Sequence, residues 1–160
     1  MKKYVLLLLF VGVVSLGYAQ DKSELTWHTD FNDAKRIAEK ENKPLMLFFT
    51  GSDWCGWCKR LQKEVFQQQD FVTWAKENVV LLELDFPRRK QLEKQQQLQN
   101  YFLQQKFGVR GFPTIWFASF KTTEGQDDII QIDKALGSVG YVRGGVDAWL
   151  QSANQILAKK

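Results

Sequence analysis

Two largely apolar runs mark the middle of the chain, Leu45 to Thr50 and, with Glu83 as its one charged residue, Val79 to Leu84. Runs of that length without polar alternation predict strands buried on both faces. A third run, Thr114 to Phe117, is entered through Gly111-Phe112-Pro113, and Leu25 with Trp27 opens a short strand earlier. Helical spacing fills the gaps. Asp30 stands before Phe31, Ala34, Ile37 and Ala38, an N-cap ahead of a helix running to about Glu41, which Asn42-Lys43-Pro44 ends. Cys58, Leu61, Val65 and Phe66 give another helical face. Asp70 to Glu77 fits a short helix, with Asp70 as its cap and Phe71 and Trp74 facing inward. A last helix covers about Val146 to Leu157, after Gly144-Gly145. No repeat at a fixed period appears. Strands alternating with helices define an α/β domain around a central sheet.

The segment from Arg88 to Lys106 is rich in glutamine, with Gln95, Gln96 and Gln97 in a row. Glutamine favours helix, and Leu98, Tyr101 and Phe102 supply an apolar edge. The pattern predicts a helix with a solvated polar face; a glutamine-rich disordered loop is the alternative.

The start of the chain has a different logic. Lys2 and Lys3 precede an unbroken apolar stretch, Tyr4 to Val14, and Gly17 and Ala19 follow as small residues. A basic start, a short apolar middle and small residues at −3 and −1 predict an export signal, residues 1–19, cut after Ala19. The domain is then 20–160. The stretch falls short of the roughly 20 apolar residues of a spanning helix; an uncleaved membrane anchor is the alternative. Export, with the periplasm as destination, puts the protein where thiols tend to be oxidised.

The 160 residues, 44% apolar and 14% aromatic, suffice for one domain with a full core and argue against disorder. The formal charge of +4 includes Lys2 and Lys3, so the exported form carries 4 − 2 = +2. Such a small surplus gives no support to nucleic-acid binding driven by bulk charge.

Both cysteines lie in Cys55-Gly56-Trp57-Cys58, after a buried strand and at the start of a helix. A disulfide across two residues closes a very small loop and removes little unfolded-state entropy, so it is a poor staple. A helix start offers free N–H groups and a positive dipole end, which favour a thiolate. Cys55, at the exposed tip, is the expected nucleophile, and Cys58, one turn in, can reach back to resolve a mixed disulfide. Trp54 precedes the pair and Trp57 lies within it. Zinc needs four ligands, and beyond these cysteines the chain offers only the distant His28. Covalent haem attachment needs a His where Lys59 stands. Copper(I) held by two thiolates and an inert disulfide are the competing readings.

The chain resembles the thioredoxin superfamily in three stretches: Leu45 to Leu61, Val79 to Asp85, and Lys106 to Phe117 with its Gly-Phe-Pro-Thr. Asp53 to Lys59, with Val65, Phe66 and Phe71 downstream, is most similar to exported thioredoxin-like domains of the DsbD C-terminal type. The resemblance implies a thioredoxin fold: a central mixed sheet flanked by helices, here with an extra Gln-rich helix before the strand that follows a cis-proline. It implies Cys55 as attacking thiol, Cys58 as resolving thiol, and a cis Phe112-Pro113 peptide turned toward an extended substrate strand. Substrate binding then falls to Trp54, Trp57, Phe112 and Pro113. One departure stands out. Thioredoxins carry a buried Asp six residues before the first Cys and a Lys on the neighbouring strand; those positions are Phe49 and, in the expected register, Leu81.

These observations point to an exported, monomeric thiol–disulfide oxidoreductase acting on protein disulfides. No bound cofactor is required, because the cysteine pair holds the two electrons. The resemblance favours a reductase fed by a membrane electron donor. An oxidase or isomerase, a copper(I) metallochaperone and a non-catalytic client-binding module are the alternatives.

Overall fold

The structure, a computed structural model, describes residues 25–121 and 131–159. The segment read as an export signal, 1–19, lies outside the described residues. None of the described helices is long and apolar enough to cross a membrane. In chain order the elements are β1 (Trp27–His28), α1 (Phe31–Glu41), β2 (Leu45–Thr50), α2 (Gly56–Leu61), α3 (Gln69–Asn78), β3 (Val80–Asp85), α4 (Lys94–Lys106), β4 (Thr114–Phe120), β5 (Ile132–Val139) and α5 (Gly145–Leu157). The strands form one mixed sheet in the order β1-β3-β2-β4-β5. β1, β3 and β2 run parallel, β4 is antiparallel to β2, and β5 is antiparallel to β4.

The apolar run of β2 occupies the sheet's centre, with all six residues buried. Successive side chains point to opposite faces, so the run feeds two cores. Met46 and Phe48 face a core shared with Cys55, Cys58, Leu61, Phe66, Phe71 and Trp149. Leu45, Leu47 and Phe49 face the other, with Phe31 and Ala34 of α1 and Leu103 of α4. Trp149 of α5 organises the first core. Its ring centroid lies 5.5 Å from that of Phe66, 5.6 Å from Phe71, 6.0 Å from Trp74 and 6.3 Å from Phe117, so one indole ties α5 to α3 and β4.

Local chemistry explains several boundaries. Asp30 caps α1, its carboxylate accepting the Asp33 N–H at 2.9 Å. Asn42 closes the same helix in the left-handed region at φ 53°. The helical face begun at Cys58 continues past α2 through a π-helical turn, Gln62–Phe66, and both Val65 and Phe66 are buried. α3 begins one residue earlier than its predicted cap. Gln68 holds the cap position without a side-chain bond, and Asp70 sits inside the first turn, where a negative charge still suits the helix dipole.

Two features differ from expectation. The sequence pattern does not predict β5: polar residues and a glycine interrupt its apolar positions, and it pairs only with β4 at the sheet's edge. Its register shifts twice, at Leu136 and at Asp133, and Gly137, at φ 148°, supplies a conformation that side chains rarely tolerate. The Gln-rich segment is helical only from Lys94, and residues 86–93 form a loop. The helix is also turned away from the expected face. Leu98, Tyr101 and Phe102 are 62%, 55% and 49% exposed, whereas Asn100 and Leu103 are buried. Polar side chains dictate this orientation. Asn100 donates to the Asp85 carbonyl at 2.9 Å. Gln99 accepts the Phe31 N–H at 2.8 Å and donates to the Thr29 carbonyl at 2.9 Å, so it caps α1 from outside.

Replacing Trp149 with Ala should destabilise the fold by about 3–5 kcal/mol, the range for truncating a large buried aromatic. Urea unfolding followed by circular dichroism reads this directly; a loss below about 1 kcal/mol would show that α5 is not anchored through its indole.

Candidate active site

The site is built where β2 passes into α2. Cys55 holds the N-cap of α2, and its Sγ accepts the Cys58 N–H at 3.2 Å. Its own N–H donates to the Gly51 carbonyl at 2.8 Å, which closes the turn leading from the strand. Cys55 and Cys58 are joined as a disulfide. The expected exposed tip is in fact nearly covered. Cys55 is 5% exposed and Cys58 fully buried, so Cys55 keeps the access of the two. The covering comes from the aromatic residues on either side.

On one side stands Trp54. Gly51 makes room for it: a Cβ at position 51 would fall 2.4 Å from the indole. The indole N–H donates to the Phe86 carbonyl at 2.8 Å. The Arg88 guanidinium lies over the same ring at 3.9 Å, and Phe112 packs beside it at 5.9 Å. Phe112 in turn stacks on Phe86 at 5.0 Å. The Phe112-Pro113 peptide is cis. Trp54, Phe112 and Pro113 thus come together, as the sequence predicts.

On the other side Trp57 is half exposed and meets Tyr141, 5.1 Å away in the loop after β5. Arg60 lies 5.5 Å from the Trp57 ring and 5.4 Å from the Tyr141 ring, and its Nε binds Glu64 at 2.7 Å. The Tyr141 hydroxyl donates to the other Glu64 oxygen. That bond, more than Arg60, holds the Glu64 carboxyl below its ordinary range, and it pushes the Tyr141 hydroxyl up. Nothing in the sequence near Trp57 points to Tyr141, which lies on a loop the unrecognised β5 delivers.

Two carboxylates lock the loops around the disulfide. Asp85, at the end of β3, accepts the Ser52 N–H at 2.8 Å and the Ser52 hydroxyl at 2.6 Å. Asp53, in the turn after β2, accepts the N–H groups of Arg88 at 3.0 Å, Arg89 at 2.6 Å and Lys90 at 3.3 Å. The Arg88 amide, then those of Arg89 and Lys90, hold the Asp53 carboxyl below its ordinary value. Asp53 is therefore a structural clasp, not the solvated loop acid its position suggests. Glu83, in register with Phe48, has its carboxyl pushed up by burial and by Asp85, with Lys90 opposing. The expected pairing of Phe49 with Leu81 is also corrected. Phe49 pairs with Leu84 and packs against Phe107, while Leu81 lies opposite Met46. His28 sits on edge strand β1. Among the described residues no group of three or more His, Cys, Asp or Glu is placed to hold a metal.

A buried strand leading into a helix capped by one cysteine of a disulfide, with a cis-proline strand alongside, defines a class. The chain belongs to the thioredoxin-like domain family, matched over residues 31–137, and it is a thiol–disulfide oxidoreductase. It is 30% identical over 135 residues to the disulfide bond reductase DsbH of Chlamydia pneumoniae, covering 84% of this chain and 74% of that one. The solved structure of a DsbH oxidoreductase superposes with a TM-score of 0.73 at 28% identity, covering 86% of this chain and 88% of that one. The oxidised DsbD C-terminal domain of Neisseria meningitidis shares the fold, with a TM-score of 0.50 at 15% identity over 81% of this chain and 98% of that one.

The lowered Asp53 carboxyl fixes the sign of an acid effect. The clasp contributes fully above the ordinary value of 3.8 and is lost as pH falls through the lower folded value. Asp53→Ala should abolish that dependence and speed hydrogen exchange at the amides of Arg88, Arg89 and Lys90. Unchanged protection at these amides would remove the clasp.

Proposed function

We propose that the protein reduces disulfides of exported polypeptides, acting outside the cytoplasm as a 20–160 domain after loss of residues 1–19. The carrying observation is the Cys55 sulfur at the N-cap of α2, accepting the Cys58 N–H at 3.2 Å. In the reduced protein the same donor stabilises a Cys55 thiolate. That thiolate attacks one sulfur of a substrate disulfide. The substrate S–S bond breaks, a mixed disulfide forms, and one substrate thiolate leaves. Cys58 then loses its proton and attacks the Cys55 sulfur. The Cys55–Cys58 disulfide forms, the second substrate thiol is released, and the substrate has gained two electrons. A dithiol donor, with a membrane electron carrier as the source, returns the pair to its reduced state.

Trp54, Trp57, Phe112 and Pro113 form the substrate-binding rim in this reading, with the edge beside Pro113 taking an extended segment. The reducing direction draws support from the kinship with a disulfide bond reductase.

Cys58→Ser should accumulate mixed disulfides with exported proteins, and Cys55→Ser should not; equal trapping would reverse the roles. Alkylation of the reduced protein should show an inflection below the free-thiol value of about 8.5. Resolution of the mixed disulfide in single-turnover experiments with a peptide disulfide should accelerate from about pH 6 to about pH 9, because Cys58 must shed its proton from apolar surroundings. Fast, pH-independent resolution would instead place a dedicated base beside Cys58. The equilibrium potential of the pair in glutathione buffers tests the direction, since an oxidant's potential would overturn the reductase reading.

A further inference from the structure

Beside Trp54 a cleft of about 540 Å³ opens between the loop 86–92 and α4. Its lining mixes apolar and polar groups: Phe86, which meets Tyr101 at 5.6 Å, and Leu92 stand beside Gln91, Gln97 and Asn100. Tyr101 is more than half exposed, although the protein leaves few large apolar side chains in water. Its rim is cationic, carrying Arg88, Arg89 and Lys90 in succession. None of these three belongs to the pairs Arg36–Asp33, Lys43–Glu41, Arg60–Glu64 or Lys121–Asp133, although Arg89 acts on Asp53 and Lys90 on Glu83 at longer range. The carboxylate lining the cleft, Asp85, has both oxygens engaged by Ser52. Asp53, whose charge Arg89 also feels, is taken up by the loop's own amides. Those amide bonds fix the loop backbone, and Arg88 also lies over the Trp54 ring, so the three cationic side chains emerge from a set base next to the redox pair.

We propose that this cleft binds an acidic, extended segment of the client polypeptide that flanks the disulfide attacked by Cys55. This rests on the reductase reading above and names the clients it prefers. Charge complementarity selects the occupant: the three rim cations outnumber the carboxylates Asp53 and Asp85 beside them, and the surplus attracts carboxylates and repels lysine-rich chains. The apolar part of the lining selects a peptide over a free anion, because Phe86, Leu92 and Tyr101 can cover an apolar side chain between the acids. Continuity does the rest. Trp54 forms the inner end of the cleft and precedes Cys55 directly, so a chain lying there leads to the sulfur.

The test uses three matched disulfide peptides whose cysteines are flanked by aspartate, serine or lysine, with dithiothreitol as donor and the exported chain as enzyme. kcat/KM should rank aspartate above serine above lysine, with about tenfold between the extremes at low salt, expressed mainly in KM and shrinking as salt rises. The double variant Arg89→Glu/Lys90→Glu should invert the ranking. Equal kcat/KM for the three peptides, or a ranking the double variant leaves untouched, overturns the proposal. If no peptide is reduced, the reductase reading fails, and the cleft is judged by binding alone. Cysteine-free versions of the peptides are then titrated against the oxidised protein by tryptophan fluorescence. Tighter binding of the aspartate peptide upholds the acidic cleft, and equal binding of aspartate and lysine peptides overturns it.

Discussion

The parallel pairing of β2 with β3 sets Thr50 beside Asp85, so the two strands end side by side. The chains leaving them are then clasped reciprocally. Asp85 of β3 holds Ser52 after β2, and Asp53 after β2 holds the amides that follow β3. Each carboxylate satisfies backbone donors that a tight turn would otherwise leave unpaired. Ligands of open α/β sheets meet the carboxyl ends of the strands, and here those ends hold the redox pair. The clasp thus converts strand register into cysteine geometry. Ser52 and Asp53 are fixed, so Trp54 and Cys55 emerge at one angle, and α2 starts where the Cys55 sulfur can cap it.

α4 extends the same arrangement. Asn100 reaches the Asp85 carbonyl, and Gln99 bridges to the start of α1. A glutamine-rich helix has little apolar surface with which to dock, so its position is set by hydrogen bonds. Buried Leu103 supplies the remaining anchor. The apolar residues that this orientation turns outward, Leu98, Tyr101 and Phe102, are then free to serve as surface.

How far the sequence could be read follows from where each interaction lies along the chain. β2 and β3 were legible because a strand buried on both faces is a continuous apolar run. α1 was legible through its cap and spacing. The cysteine pair and the cis Phe112-Pro113 were legible because a few adjacent residues carry each. The clasp joins residues 33 to 37 positions apart, and a loop aspartate looks the same whether it binds three amides or water. β5 was hidden because Asp133, Lys134 and Ser138 give it little strand preference and its bulge breaks the two-residue alternation. In α4 the apolar spacing of Leu98, Tyr101 and Phe102 does not mark burial, because the hydrogen bonds of Asn100 and Gln99 set its face. The partner of Phe49 shifted from Leu81 to Leu84 because neither residue type marks register within a wholly apolar strand.

Trp54, before the redox pair, and Trp57, within it, each have an arginine over the ring: Arg88 on Trp54 and Arg60 on Trp57. An indole face left bare beside a reactive sulfur would invite nonspecific apolar contact. A guanidinium stacked on that face is held by the ring's quadrupole while its N–H edge stays available for carbonyls and carboxylates. The two sides are nonetheless unequal. Arg60 is already paired with Glu64, which Tyr141 also binds, so that side is electrically closed. Arg88 has no such partner among the described ion pairs, and Arg89 and Lys90 follow it. The two sides of the disulfide therefore differ in how their arginines are paired: Arg60 is held by a carboxylate side chain, and Arg88 lies on the Trp54 ring beside the Asp53 clasp. If the cleft takes an acidic segment as proposed, a client reaching Cys55 meets a direction as well as a surface.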